Sequence, residues 1–191
     1  MAPAVTTSEY SPKQLCMRLN RENLRRVAEP QLPEGYVLRG YRPDDEKSWA
    51  DLLFMCGFDQ WDGPLKIREY LCDQERREGS RIVAWGAEIV GATFASHQSY
   101  PFRAGVLDYV VTHPNHRNRG LGRAVCAGVI KFFSEQGYDL VVLQTDDWRL
   151  SAIKVYLSLG FEPEITRDDM PGRWETVMRD LTLPITNQNE D

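Results

Sequence analysis

Three observations lead the sequence to predict a single mixed α/β domain. Its 191 residues fit one domain of the usual ~100–200 residues with a proper core. Short Val/Leu-rich runs, read as strands, are interleaved with stretches whose apolar residues recur at helical spacing. Glycine and proline punctuate the joins. With 42% hydrophobic and 27% charged residues the composition is that of an ordinary soluble globular chain, which sets aside disorder, collagen and coiled coil.

The elements follow in order. In "SPKQLCMRLNRENLRRVAEP" Ser11 is an N-cap, Pro12 a first helical residue and Pro30 a stop, with Leu15, Leu19, Leu24 and Val27 at roughly helical spacing. This predicts an N-terminal helical extension over residues 1–33, its arginines on a solvated face, ahead of a main domain over 34–191. "YVLRGY" reads as a strand and "DDEKSWADLLFMCG" as a helix stopped by Gly57. "GPLKIREYLCDQERREG" reads as one further helix ended by Gly79. "RIVAWGAEIVGATFASHQ" predicts two strands about a turn near Gly86–Glu88, and "AGVLDYVVTHP" another closed by Pro114. "GRAVCAGVIKFFSEQGY" carries a stripe of Val125, Val129, Phe132 and Phe133 and is a helix stopped by Gly137. "DLVVLQT" reads as a strand buried on both faces. "SAIKVYLSLGF" is a short helix capped by Ser151 and ended by Gly160, "RWETVMRDLTL" a last strand, and "PITNQNED" a frayed end.

With a formal net charge of −5, a large basic footprint of the kind that grips duplex nucleic acid is not expected over the chain as a whole, so basic residues must act locally. No run of ~18 apolar residues suggests a membrane span, and "MAPAVTTSEY" has neither the charged nor the apolar region of a signal peptide, so a cytoplasmic location is expected. The cysteines Cys16, Cys56, Cys72 and Cys126 are widely spaced and expected to be reduced thiols. The histidines His97, His113 and His116 form no helical pair or His-rich cluster, and no metal site is expected.

One stretch carries chemistry. In "THPNHRNRGLGRAV" a strand ends in a Gly/Arg-rich turn that opens directly onto a helix. The first turn of a helix has unpaired N–H groups and about half a positive charge, which makes an anion site. Gly120 and Gly122 remove side chains that would keep a phosphate off the backbone, and Arg117, Arg119 and Arg123 add charge that can clasp phosphate oxygens. A solvated surface turn would look much the same. A P-loop requires a Gly-Lys pair that the chain lacks. A dinucleotide fingerprint requires Gly or Ala where Val125 stands.

What remains, Arg-x-x-Gly-x-Gly at Arg117, Gly120 and Gly122 after a strand and Pro114, resembles the GNAT superfamily of acyl-CoA N-acetyltransferases. A second match stands beyond the buried strand: "AIKVYLSLGF", residues 152–161, is similar to the family's A-x-x-x-Y-x-x-x-G-F element. The resemblance covers roughly Gly35 to Leu181 in element order and is specific mainly from Leu107 to Phe161. It implies a central mixed, mostly antiparallel sheet flanked by helices and a loop, Arg117, Asn118, Arg119, Gly120, Leu121, Gly122 and Arg123, that binds the pyrophosphate of acetyl-CoA. It further implies that the backbone of Val110, Val111 and Thr112 holds the pantetheine arm and the thioester oxygen, and that Tyr156 lies near the CoA sulfur and protonates the departing thiolate.

An amine acceptor attacking a thioester directly also needs a proton acceptor. Asp108 interrupts an apolar strand on the face of Val106 and Val110 and is the candidate base, its alternative being an ion pair with Arg81 or Arg103. Glu88 and His97 are alternates for the base, and Tyr156 has the alternative of a core aromatic. Arg149 stands where many family members carry an asparagine that contacts the cofactor, so that contact changes here, to a cofactor phosphate or to shaping the acceptor side with Asp146, Asp147 and Trp148. The segments "CGFDQWDGPL" and "TRDDMPGRWE" offer aromatics Phe58, Trp61 and Trp174 and acids Asp59, Asp62, Asp168 and Asp169 to a cationic amine.

The expected function is therefore acetyl transfer from acetyl-CoA to a primary amine of a small molecule or peptide, with no nucleic-acid or membrane partner and a possible homodimer. The rival readings are a non-catalytic acyl-CoA-binding module or sensor, and a nucleic-acid module using the basic N-terminal helix and the Gly/Arg loop, against which the net charge stands.

Overall fold

The computed structural model describes residues 13–98 and 103–182; Ser11, Pro12 and the tail from Pro184 lie outside them. The chain runs β1 (Leu15–Asn20), α1 (Arg21–Leu24), β2 (Tyr36–Gly40), α2 (Glu46–Met55), α3 (Pro64–Tyr70), α4 (Gln74–Gly79), β3 (Arg81–Trp85) and β4 (Glu88–Gln98). It continues through β5 (Ala104–Thr112), a 3-10 turn (Pro114–His116), α5 (Leu121–Glu135), β6 (Leu140–Thr145), α6 (Leu150–Ser158), β7 (Glu162–Glu164) and α7 (Met170–Thr182). The strands make one seven-stranded sheet in the order β2-β3-β4-β5-β6-β1-β7. Every neighbouring pair is antiparallel except β5 and β6, which run parallel. Mixed, mostly antiparallel and helix-flanked, this is the predicted architecture.

The segment expected to be an N-terminal helix outside the domain is a strand inside it. Leu15, Met17 and Leu19 are fully buried and alternate with less buried neighbours, a period of two that only a strand satisfies. β1 lies antiparallel between β6, with Leu15 opposite Thr145, and β7, with Cys16 opposite Glu164. The helical spacing of Leu15, Leu19, Leu24 and Val27 arises because the stripe crosses from this strand into the short α1, where Asn20 accepts from Asn23 N at 3.0 Å.

Four other expectations change. The helix expected over 64–79 is two, α3 and α4, because Asp73 takes an extended conformation and caps Arg76 N at 2.7 Å. β6 alternates in burial rather than being buried on both faces, with Gln144 exposed. At the start of α6 the cap position is Arg149, not Ser151, and no side chain caps it. The expected last strand is α7, since Met170, Trp174 and Val177 recur at helical spacing and all three are buried.

Two apolar clusters hold the layers together. On one side α5, α6 and α7 cover residues such as Val83, Leu107 and Val141; on the other, Trp49 of α2 and Ile67 of α3 pack on Ile82 and Phe94. Trp49 stacks on Phe94 at 4.3 Å between ring centroids. Helix α5 sits tightly on the sheet because Gly105 has no side chain: a Cβ there would lie 2.6 Å from the Phe133 ring.

Because β1 is an interior strand, Leu19→Ala is expected to destabilise the fold by about 2–5 kcal/mol, read as a lower urea midpoint. A dispensable extension would leave the midpoint unchanged.

Candidate active site

The site is built by a strand that changes partners. β5 pairs with β4 along its length, but with β6 only at Gly105 and Val106. A register shift follows where Ala92 opposes Val111 while Phe94 opposes Asp108, so Tyr109 and Val110 together face the single residue Thr93. Tyr109 takes the left-handed conformation at φ +49°, a strained backbone for a bulky residue. Beyond this bulge β5 has no pairing with β6, and a cleft of about 770 Å³ lies against it, walled by the glycine turn, the start of α5 and residues 148–156.

The Gly/Arg turn closes one part of the cleft. After Thr112 the 3-10 turn leads to Asn118 and Gly120, both left-handed at φ +59° and +77°. Gly120 is the N-cap of the 15-residue α5, and a Cβ on it would meet nothing within 4 Å, so the backbone conformation rather than space calls for glycine here. No side chain caps the helix, and its first N–H groups are left for a ligand.

Most of the predicted residues meet here. The cleft is lined by Val110, Val111 and Thr112 from β5, by Arg117, Asn118 and Gly120 from the turn, by Leu121, Gly122 and Arg123 from α5, and by Tyr156 from α6. Arg119 is exposed and does not line it. Tyr156 is 6% exposed, with its ring edge-on to Phe161 at 6.0 Å. Burial raises its pKa well above the ordinary tyrosine value; Cys126 adds to the shift and Arg149 opposes it.

Asp108 stands apart. It does not line the cleft, and neither Arg81 nor Arg103 pairs with it: Arg81 donates to the carbonyls of Glu78, Gly79 and Ser80, and Arg103 pairs with Glu75. The Tyr70 hydroxyl instead donates to Asp108 Oδ2 at 2.7 Å, with the Ser96 hydroxyl at 3.2 Å. Burial pushes Tyr70 up to about 12, and the neighbouring carboxylate adds to the shift. The alternates Glu88 and His97 also lie off the cleft, His97 against Asp73 at 3.3 Å.

On the expected acceptor side, Phe58 lines the cleft, but Trp61 and Trp174 are core residues at 6% and 4% exposure. Trp61 is edge-on to Tyr70 and Tyr109, and Asp169 is tied to Arg167 and Arg173. Arg149 does line the cleft, its Nε donating to Asp146 at 2.9 Å and its guanidinium 4.5 Å from the Trp148 ring and 5.1 Å from the Phe58 ring. Sequence reasoning missed Cys56, Lys154, Asp180 and Leu181, which also line it. Lys154 is two residues before Tyr156 on a helix already identified; Asp180 and Leu181 were masked by the strand reading of what is α7.

The geometry has counterparts. A mycothiol acetyltransferase of Streptomyces bingchenggensis is 30% identical over 160 residues, covering 78% of this chain and 50% of that protein. N-acetyltransferase 8B of Rattus norvegicus is 30% identical over 98 residues, 50% of this chain and 43% of that protein. The chain thus spans about half the length of the curated relatives it matches. Among solved structures, a GCN5-related N-acetyltransferase from Sphaerobacter thermophilus superposes with a TM-score of 0.65 at 19% identity, over 81% of this chain and 50% of that one. The aminoglycoside N-acetyltransferase AAC(6')-Iy, solved in complex with CoA, does so with a TM-score of 0.58 at 21% identity, over 72% and 95% of the two chains. The family model for GNAT acetyltransferases matches residues 43–161, which hold the bulged strand, the glycine turn and Tyr156, and the chain belongs to that family.

Proposed function

We propose that the protein transfers an acetyl group from acetyl-CoA to a primary amine of a small molecule or peptide, by direct attack while both are bound. The observation that carries this reading is the cleft beside the unpaired end of β5, which joins the uncapped N-terminus of α5 to the buried Tyr156. In this reading the pyrophosphate rests on the first turn of α5 with Arg117 and Arg123, and the pantetheine arm runs along Val110, Val111 and Thr112. Four free thiols suit a reducing compartment, and we place the reaction in the cytoplasm.

The chemistry balances with groups of the chain and solvent water, which takes the amine's proton and reprotonates Tyr156. The neutral amine attacks the thioester carbon, and a backbone N–H of the β5 segment stabilises the oxyanion. As the C–S bond breaks, Tyr156 donates its hydrogen to the thiolate sulfur, a role favoured by burial that keeps the hydroxyl protonated. The amine's proton leaves with solvent water, since Asp108 and the Tyr70 hydroxyl that donates to it both lie off the cleft. A non-catalytic acyl-CoA-binding module is favoured by one observation, that Asp108 does not itself reach the cleft.

Release of CoA against a panel of amines distinguishes the two: binding without turnover supports the module. Tyr156→Phe is expected to lower kcat by about 10²-fold with KM for acetyl-CoA unchanged, and an unaltered kcat removes the tyrosine from the mechanism. Arg117→Ala is expected to weaken acetyl-CoA binding at least about tenfold, the loss of one charge-assisted hydrogen bond, measured by calorimetry. A hydroxyl whose pKa is raised holds its proton to higher pH, so the kcat profile is expected to show no descending limb from Tyr156 below about pH 10, the ordinary tyrosine value.

A further inference from the structure

The histidines that look scattered in the sequence converge. Glu88, at the start of β4, His113, the residue before the 3-10 turn, and His116, its last residue, place one ligand atom each within 4.8 Å of one another. We propose that these three residues bind a zinc-class divalent cation at the turn that leads into Arg117, a site separate from the cleft.

The donor set is two imidazoles and one carboxylate, the combination that holds zinc with a fourth position left to water. His113 Nε2 lies 3.6 Å from Glu88 Oε1. Ligands on a tetrahedral zinc with bonds of ~2.0–2.1 Å stand about 3.4 Å apart, so this pair is already spaced for a shared ion. His116 has the outer support expected of a ligand: its Nδ1 is 2.9 Å from the Tyr36 hydroxyl. Nδ1–H donating to that oxygen leaves Nε2 with its lone pair, fixing the tautomer a metal needs.

The backbone around the turn is rigid. His113 N donates to Val90 O at 2.9 Å, His116 N donates to His113 O at 2.9 Å, and Pro114 stands between the two histidines. The rings meet edge to face at 5.3 Å. One contact is exchanged on binding. Asn115 N donates to His113 Nδ1 at 3.2 Å, and an ion on Nε2 puts the imidazole proton on Nδ1, so the exposed Asn115 N–H turns to water. A bound cation would tie the start of β4 to the turn after β5 and place positive charge behind the phosphate-binding loop.

The test is direct binding to the whole 191-residue chain freed of metal, with no dependence on acetyl transfer. Cobalt(II) titration followed by its visible absorption, zinc competition and calorimetry are expected to show one equivalent bound. Affinity is expected to fall by more than about a hundredfold in His113→Ala and His116→Ala, and by about tenfold in Tyr36→Phe, a positioning change. Glu88→Gln alters an exposed side chain and is expected to keep the native melting temperature, so weaker zinc binding in that variant reports the site rather than the fold. Zinc is expected to raise the melting temperature of the native protein and not of the His113→Ala/His116→Ala double variant. No zinc binding, or binding equally tight in that double variant because the exposed Cys72 or another thiol holds the ion, overturns the proposal.

Discussion

At Gly105 and Val106 the strand β5 is hydrogen-bonded on both edges; from the Tyr109 bulge onward its β6 edge has no strand beside it. Backbone polar groups at such an edge require partners: the Cys56 thiol donates to the Thr112 carbonyl at 3.6 Å, and a ligand or water can serve the others. β6 cannot simply bend back to fill the gap, because β1 pairs with it from Leu140 to Thr145. The bulge, the unpaired end of β5 and the bracing by β1 act as one arrangement, and each residue of the cleft owes its position to it.

The second theme is how an acidic protein keeps a cationic cleft. Several carboxylates are neutralised elsewhere by their own arginines. Arg39 grips Asp45 with two bonds of 2.7 and 2.8 Å, and Arg173 spans Asp147 and Asp169, holding both carboxyls below the usual range. Arg117, Arg123 and Lys154 line the cleft with the N-terminus of α5, and among the described residues none of the three has an ion-pair partner within 4.0 Å. The field is therefore local, whatever the net charge.

The glycine turn was legible because its signal is local: Gly120 must be left-handed, and a strand before it and a helix after it are both short-range patterns. Tyr156 was legible for the same reason. What depended on partners distant in sequence was not. Leu15, Met17 and Leu19 fit a strand or part of a helix until β6 and β7 are placed beside them. Trp61 and Trp174 have the same composition in a binding loop as in a core, and only the packing against Tyr70 and Tyr109, or on the inner face of α7, tells the two apart. Asp108 could be placed on its strand but not paired, since its partner Tyr70 comes from a helix whose orientation no spacing encodes.

β1 has a consequence in time. Gln14, just before the strand, bonds Asp146, 132 positions further along the chain. At synthesis rates of roughly 5–20 residues per second, an apolar strand made early waits on the order of ten seconds for its neighbours to emerge. During that interval Leu15, Met17 and Leu19 have no sheet to join, and the order in which the strands are made cannot be the order in which they assemble. The segment that braces the cleft in the finished protein is, on the ribosome, the one most in need of shelter.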